Sequence, residues 1–279
     1  MFRSILVPTL VALLPAQALA WGSLGHRTVA VTAVRDLPPG PGAWFRQAED
    51  FMADHAMDPD RWKRQDPLEG PRHYLDCEYY GGPGRVPRDR AAAQAALGLE
   101  KFSLAGQVPW TVLQFTERVE AAFRAGDRDL AVLESAHLSH YVGDLSVPLH
   151  TTANHNGEAT GQHGIHHRWE GSLVDDIVGR EGWMPPVEPV ARLFDPQGAP
   201  WTWLAESYAL VPSVLEDDLA ATRSTGAMPG RHPRRYWVVF GNLQRATVER
   251  QLEQAGKRTA QLILEAWIRA GSPALAPSR

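Results

Sequence analysis

The stretch His140-Tyr141-Val142-Gly143-Asp144-Leu145-Ser146-Val147-Pro148-Leu149-His150 decides how this chain is read. It continues a helix-like segment, Leu130 to Ser139, so His140 and Asp144, four apart, fall on one helical face. Pro148 ends the regular backbone before His150. Three metal-binding side chains are thereby directed to one neighbourhood. Downstream, Gly164-Ile165-His166-His167-Arg168-Trp169-Glu170 repeats the spacing, with His166 and Glu170 four apart on an expected helix. Two such imidazole–carboxylate pairs, with His150 between them, predict more than one cation of the zinc type, which takes nitrogen and oxygen donors together.

Composition sets the frame. The chain has 279 residues, 44% hydrophobic and 22% charged, enough for one large domain or two small ones. A formal net charge of -4 argues against a broad electrostatic grip on duplex nucleic acid, but a metal site brings positive charge that the formal count omits. Residues 1–20 read as a secretory signal: Arg3 gives a positive start, Ile5 to Leu14 is apolar but too short to span a bilayer, and Ala18-Leu19-Ala20 is a small-x-small cleavage site. The mature chain is then expected to begin at Trp21 and to be secreted or periplasmic. Cys77 is the single cysteine, so no internal disulfide can form and stability must come from packing and bound metal.

Cleavage after Ala20 has a chemical consequence. It frees the α-amino group of Trp21, whose ordinary pKa of about 8 lets it lose a proton and chelate a metal together with its own carbonyl. His26, five residues on, can complete that site; otherwise Trp21 is a chain end and His26 a surface histidine.

Further along, Thr28 to Arg35 reads as a short helix stopped by Pro38-Pro39-Gly40, and Ala43 to His55 as a second one. Asp58-Pro59-Asp60-Arg61 makes a turn whose carboxylates serve either a metal or the turn itself. Pro71-Arg72-His73-Tyr74-Leu75-Asp76 adds a histidine, and Tyr74, Tyr79 and Tyr80 offer a stacking surface or simple packing. After a loop at Gly81 to Pro87, helical periodicity marks Ala91 to Gln107, Val112 to Ala125 and, beyond Gly126-Asp127, the helix from Leu130. Residues 183–200 hold five prolines and form a connector. Trp201 to Leu219 is a helix, Thr222 to Arg235 a loop, and Phe240 to Ala270 a long helix with Leu252, Ala255, Thr259, Leu262 and Ala266 on one stripe. No run alternates with period two, so the expectation is all-α: a single multi-helix domain over 21–270 and a tail over 271–279.

Taken in order, Trp21 opening WGSLGH, HYLD at 73–76, HYVGDLSVPLH at 140–150 and HHRWE at 166–170 resemble a known superfamily. It is the trinuclear-zinc phosphodiesterases, which include fungal and plant single-strand-specific nucleases and bacterial zinc-dependent phospholipase C. The similarity spans nearly the whole mature chain. It implies three zinc ions. One would be held by Asp60, His73, His140 and Asp144; a close second by the Trp21 amino and carbonyl groups, His26 and Asp144, which bridges; and a third by His150, His166 and Glu170. Asp58 has the nuclease spacing, fifteen before His73 with Arg61 three after it, whereas Asp60, thirteen before His73, is closer to some phospholipases; Asp60 is the ligand expected here. His55, His137, His155 and His163 have no place in the series and read as surface histidines or supports behind the ligands.

The chemistry that follows is hydrolysis of a phosphodiester. Water shared by two zinc ions loses a proton near neutral pH and attacks phosphorus in line, while the third zinc neutralises the phosphoryl oxygens and the departing alkoxide. A cation, Arg61 first with Lys63 or Arg64 behind it, would stabilise the pentacoordinate charge. Single-stranded nucleic acid is favoured as substrate, because the WGSLGH opening looks like the nucleases and Asp76 in HYLD can accept hydrogen bonds from a base on which Tyr74 stacks. Phospholipid at a membrane surface is the alternative, since Glu170 stands where nucleases carry Asp and the HYVGDLSVPLH wording is equally close to the phospholipases. Against it, Leu24 falls where that branch places an acidic residue suited to a quaternary ammonium head group. A non-catalytic zinc-binding protein is the third reading. No organic cofactor is implied, and a monomer is expected.

Overall fold

The structure, a computed structural model, describes residues 21–274. The segment read as a secretory signal and the last five residues of the tail lie outside the described residues. Helix α1 (Ser23–Asp36) is stopped by Leu37, and Pro39 then starts α2 (Pro39–Phe45) from its first turn, so the Pro-Pro pair both ends one helix and begins the next. The single helix expected over Ala43 to His55 is instead broken by a 3₁₀ turn at Arg46–Ala48, and α3 (Glu49–His55) follows it. The Asp58-Pro59-Asp60-Arg61 turn is one short helix, α4 (Asp58–Trp62), with proline in the first turn where its missing N–H costs nothing.

Between Arg90 and Ala105 the chain forms α5 (Arg90–Leu97) and α6 (Leu99–Ala105) rather than one helix. Gly98 sits at φ +75°, a left-handed conformation that breaks the helical run and that glycine adopts without penalty. Helix α7 (Val108–Ala125) ends at Gly126, and the Asp127 side chain then accepts the Leu130 N–H at 3.0 Å to cap α8 (Arg128–Leu145). Helix α8 therefore runs through His140 and Asp144. After α9 (Ile165–His167) the helix widens into a π-helical turn at Arg168–Ser172, and a second such turn covers Asp175–Arg180. The segment expected as one helix from Trp201 is α10 (Ala199–Tyr208) and α11 (Val211–Thr225), split before Pro212. Helix α12 (Arg234–Arg269) is 36 residues, which at 1.5 Å per residue is about 54 Å long. It absorbs part of the expected loop, and its polar residues Gln244, Gln251, Arg258 and Glu265, seven apart, are all buried.

Helices α8 and α12 pack on each other and on both α1 and α7 as the centre of a single all-α domain. Among the described residues there is no strand; Leu75–Gly106 and Met228–Arg231 are isolated bridges. None of the described helices is long and apolar enough to cross a membrane. The apolar interior falls into two clusters. Phe102, Phe115, Phe123, Tyr141, Val142 and Leu145 belong to one, and Trp21, Val147, Leu149, Trp169 and Phe240 to the other. The second half of α8 passes between them, so from Ser135 to Leu145 it is buried on every side. A polar residue placed there has no water to satisfy it, and its partners must come from the protein or a ligand.

Candidate metal centre

Three groups of buried side chains meet along this part of α8. His73, His140 and Asp144 form one, His26, Asp60 and His140 a second, and His150, His166 and Glu170 a third; within each, one donor atom per residue lies within 4.8 Å of the others. Asp144 stands between them. Its Oδ2 is 2.8 Å from His73 Nδ1 and 3.2 Å from His140 Nε2, while its Oδ1 is 3.7 Å from His26 Nε2 and 3.6 Å from His150 Nδ1. Asp60 Oδ1 lies 3.7 Å from His140 Nε2 and 3.8 Å from His73 Nδ1. In the third group Glu170 Oε2 is 3.2 Å from His150 Nε2 and 3.1 Å from His166 Nε2, so the four-residue spacing survives the π-helical turn.

Local structure fixes which ring nitrogen faces inward. His140 Nδ1 donates to the Ala56 carbonyl at 2.8 Å, which leaves a lone pair on Nε2. His150 Nδ1 donates to the His73 carbonyl at 2.8 Å, and Leu75 N–H donates back to the His150 carbonyl at 2.9 Å, so HYLD and the end of HYVGDLSVPLH are zipped together. His73 turns Nε2 towards Glu69 Oε1 at 3.2 Å, and Nδ1 remains for the cluster. His73 Nδ1 and His140 Nε2 then face each other at 3.0 Å, two lone pairs beside a carboxylate. Lone pairs so close repel unless a proton or a cation lies among them.

Gly143 makes the approach possible. A Cβ there would lie 3.2 Å from His26 Nδ1 and 3.4 Å from Trp21 Cδ1, so a larger residue would press His26 and Trp21 off α8. The Trp21 indole donates to the Gly143 carbonyl at 2.6 Å and tilts against Trp169, one residue before Glu170.

Electrostatics agree with a cation site. Burial alone would raise the Asp144 pKa, but His140 and His150 hold it well below the ordinary carboxylate range. Glu170, likewise opposed by burial, is drawn down to about 2 by His166 and His150. His26 is lowered to about 3 by burial and by His140, and so is neutral. Both nitrogens of His26 and His166, both oxygens of Glu170, Asp60 Oδ2, Asp144 Oδ1 and His150 Nε2 are buried without a hydrogen-bond partner. Buried polar atoms are almost always paired. So many unpaired donors of metal-ligating type in one place fit a metal, and imidazole with carboxylate is a donor set that zinc accepts.

The structure thus brings together His26, Asp60, His73, His140, Asp144, His150, His166 and Glu170, with Trp21 packed against them. Asp58 is turned away: its carboxylate takes His55 Nδ1 and Arg61 Nη1, both at 2.6 Å. Arg61, the first cation expected at the site, is therefore paired with Asp58, and its side chain is 64% exposed. Lys63 Nζ is the cation beside the cluster, 2.7 Å from Asp60 Oδ1. Asp76 lies next to the third group; burial first and Glu78 second raise its pKa to about 7, opposed by His150. The Tyr74 hydroxyl donates to the Leu104 carbonyl at 3.2 Å. Glu69 is not among the residues that the sequence singles out, although it stands four before His73, the same spacing as His140 to Asp144. It accepts the Tyr141 hydroxyl and Arg72 Nη1 as well as facing His73.

A helical bundle with five histidines and three carboxylates converging in its buried centre has the architecture and the donor set of a metal-binding helical protein. The chain belongs to the S1/P1 nuclease family, whose model matches residues 21–267. That family acts on phosphodiester bonds as a hydrolase. Among its relatives are Nuclease P1 of Penicillium citrinum and Nuclease PA3 of a Penicillium species, each 22% identical over 282 residues, covering 88% of this chain and 97% of the relative.

Proposed function

We propose that this chain is a zinc-dependent nuclease that cleaves single-stranded DNA or RNA as a monomer. It would be exported by its first twenty residues and matured to begin at Trp21. The observation that carries the metal dependence is the 3.0 Å approach of His73 Nδ1 and His140 Nε2 beside Asp144, among buried donors that have no other partner. Three zinc ions are the complement we assign, on His73, His140, Asp144 and Asp60, on His26, Asp144 and the Trp21 main chain, and on His150, His166 and Glu170. Zinc held there supplies water that is nucleophilic near neutral pH and positive charge for the phosphoryl oxygens.

The protein's own groups prepare the site. His140 and His150 keep Asp144 ionised against its burial. Glu69 and the Ala56 carbonyl hold His73 and His140 in the tautomers that offer a lone pair inward. Lys63, rather than the outward-paired Arg61, is the cation placed to steady charge building on phosphorus. Asp76, with its pKa raised to about 7, can accept from or donate to a base edge at neutral pH, and Tyr74, tethered through its hydroxyl, presents a ring for stacking.

The test is a side-by-side assay of mature protein on single-stranded DNA, RNA and phosphatidylcholine vesicles, with zinc content measured on the same sample. Asp76→Ala is expected to keep its zinc and its hydrolysis of bis(nitrophenyl) phosphate, while cleavage of single-stranded DNA falls by about 1–3 kcal/mol of transition-state stabilisation. Rapid cleavage of the lipid with none of the nucleic acid would replace this reading with a phospholipase; no hydrolysis of any of them would leave a zinc-binding protein.

A further inference from the structure

Outside the metal cluster, a pocket of 560 Å³ opens between α5, α6 and the start of α7. Sites for small ligands typically measure about 300–1,000 Å³. Arg72 and Arg90 line it, and among the described residues of its wall there is no carboxylate. Glu69, which accepts Arg72 Nη1 at 2.8 Å, is buried and takes no part in that wall. Arg90 Nη2 donates to Gln107 Oε1 at 2.6 Å, and its guanidinium lies 5.1 Å from the centre of the Phe102 ring. Each arginine is thus held at one nitrogen, and a guanidinium carries five N–H donors, so both have others to offer an anion.

The pocket is fastened to the segment that enters the metal centre. Arg72 directly precedes His73. Gln107 N–H donates to the Pro71 carbonyl at 2.7 Å and Val108 N–H to the Tyr74 carbonyl at 3.1 Å, so the start of α7 is bonded on both sides of Arg72 and His73. A strand whose scissile phosphate lies at the cluster carries further phosphates away from it, and on a chain of net charge -4 these need a local cation. The amides of Gln94 and Gln114 can answer donors and acceptors on a base edge. Leu68 and Leu99, 67% and 71% exposed, give the pocket an apolar rim that a base face can cover.

We propose that this pocket is a second nucleotide subsite, in which Arg72 and Arg90 bind a phosphate of the strand beside the scissile one and the pocket takes the attached base. The inference rests on the nuclease reading above. Such a subsite makes the enzyme favour an oligonucleotide over a dinucleotide by tighter binding, with no part in the chemistry at phosphorus. Arg90 is the residue that tests it, because Arg72 also holds Glu69, which faces the ligand His73.

The experiment measures kcat and KM of the zinc-loaded mature chain on a single-stranded DNA dinucleotide and hexanucleotide at several salt concentrations. Wild type is compared with Arg90→Ala, Arg90→Lys and Leu99→Glu, and is expected to favour the hexanucleotide through a lower KM. Arg90→Ala should raise KM for the hexanucleotide about 10-fold relative to the dinucleotide. Its log–log salt dependence should be shallower by about 0.7, the value of one phosphate contact on a single strand. Leu99→Glu, which sets a carboxylate at the mouth, should act in the same direction, and Arg90→Lys, which keeps the charge, should recover most of the loss. Should Arg90→Ala fail to fold, Leu99→Glu decides. A wild type without length preference, or an Arg90→Ala variant that keeps it, overturns the subsite and leaves the nuclease reading standing. No recovery in Arg90→Lys overturns it too, since Arg90 would then act by packing on Phe102. If wild type cleaves neither oligonucleotide, the nuclease reading falls and takes this inference with it.

Discussion

Arg168–Asp218 and the Asp144 cluster are both buried groups of charge, and they are resolved in opposite ways. Asp218 Oδ1 accepts from Arg168 Nη2 at 2.9 Å and from the Tyr236 hydroxyl, and its Oδ2 accepts from Gln162 Nε2 at 2.7 Å. Arg168 spends its remaining donors on the His163 and Gln162 carbonyls. Both charges of that pair are answered by protein groups, although Gln162 Oε1 stays without a partner, and the network clamps the chain from Gln162 onwards, where His166 and Glu170 lie. Around Asp144 the lone pairs face one another instead, and no protein donor is left to answer them. A saturated buried network is a structural device; an unsaturated one of imidazole and carboxylate is a receptor for a cation.

The largest effect that can break this contrast is at Asp144. Asp144→Asn is expected to lower turnover by at least about a thousandfold, equally on single-stranded DNA and on bis(nitrophenyl) phosphate, because the carboxylate serves the shared chemistry rather than base recognition. Retained hydrolysis of the small diester would remove Asp144 from that role. Asp218→Ala belongs to the other region and should act on stability. Leaving Arg168 buried and unpaired costs about 3–5 kcal/mol, read as a shift in urea unfolding that persists in the presence of a chelator. A loss confined to the zinc-loaded protein would mean that the two networks are one.

Glu69 lies on the border between them, since it is satisfied by Tyr141 and Arg72 yet faces a cluster histidine. Glu69→Gln is expected to weaken zinc binding about 10- to 100-fold in competition with a chelator. Unchanged affinity would make it a packing residue.

Much of the cluster is visible in the sequence because helical spacing is local: His140 with Asp144 and His166 with Glu170 need only the four-residue period, and neither the buried end of α8 nor the π-helical turn disturbs it. Glu69 carries the same signal but sits in a loop and 3₁₀ stretch, where periodicity assigns no face. The choice of Asp60 over Asp58 rests on resemblance in the sequence and on packing in the structure, where Asp58 goes to His55 and Arg61. Helix boundaries are less legible. The split at Gly98 follows from one glycine's positive φ, and the split before Pro212 from a proline that also starts α11, whereas periodicity runs through both. His137 reads in the sequence as a surface histidine or a support; Glu134 lies three before it on α8, but its other neighbour, Asp58, comes from α4, which meets α8 only in the fold.

Asp36 is the intermediate case and gives the smallest effect. It ends α1, fully buried, with Oδ1 accepting the Glu188 N–H at 2.8 Å and Oδ2 without a partner. The groups that act on it electrostatically are Lys257, Glu188 and Glu253 rather than histidines, so a half-satisfied carboxylate must answer burial by holding its proton. Burial raises its pKa to about 6, against the Glu188 N–H and Lys257, which lower it. The unfolded carboxyl ionises near its ordinary value of 3.8 and the folded one near 6, so between them the folded state binds more protons. Stability should therefore decline as pH rises through that window and level off above it. Asp36→Asn keeps an acceptor for Glu188 and removes the charge, so the variant should gain on the order of 1 kcal/mol relative to wild type between pH 4 and pH 7. Urea midpoints measured across that range check it: curves for the two proteins that run parallel would show that Asp36 is ionised in the fold, and that a single backbone N–H is enough to satisfy a buried carboxylate here.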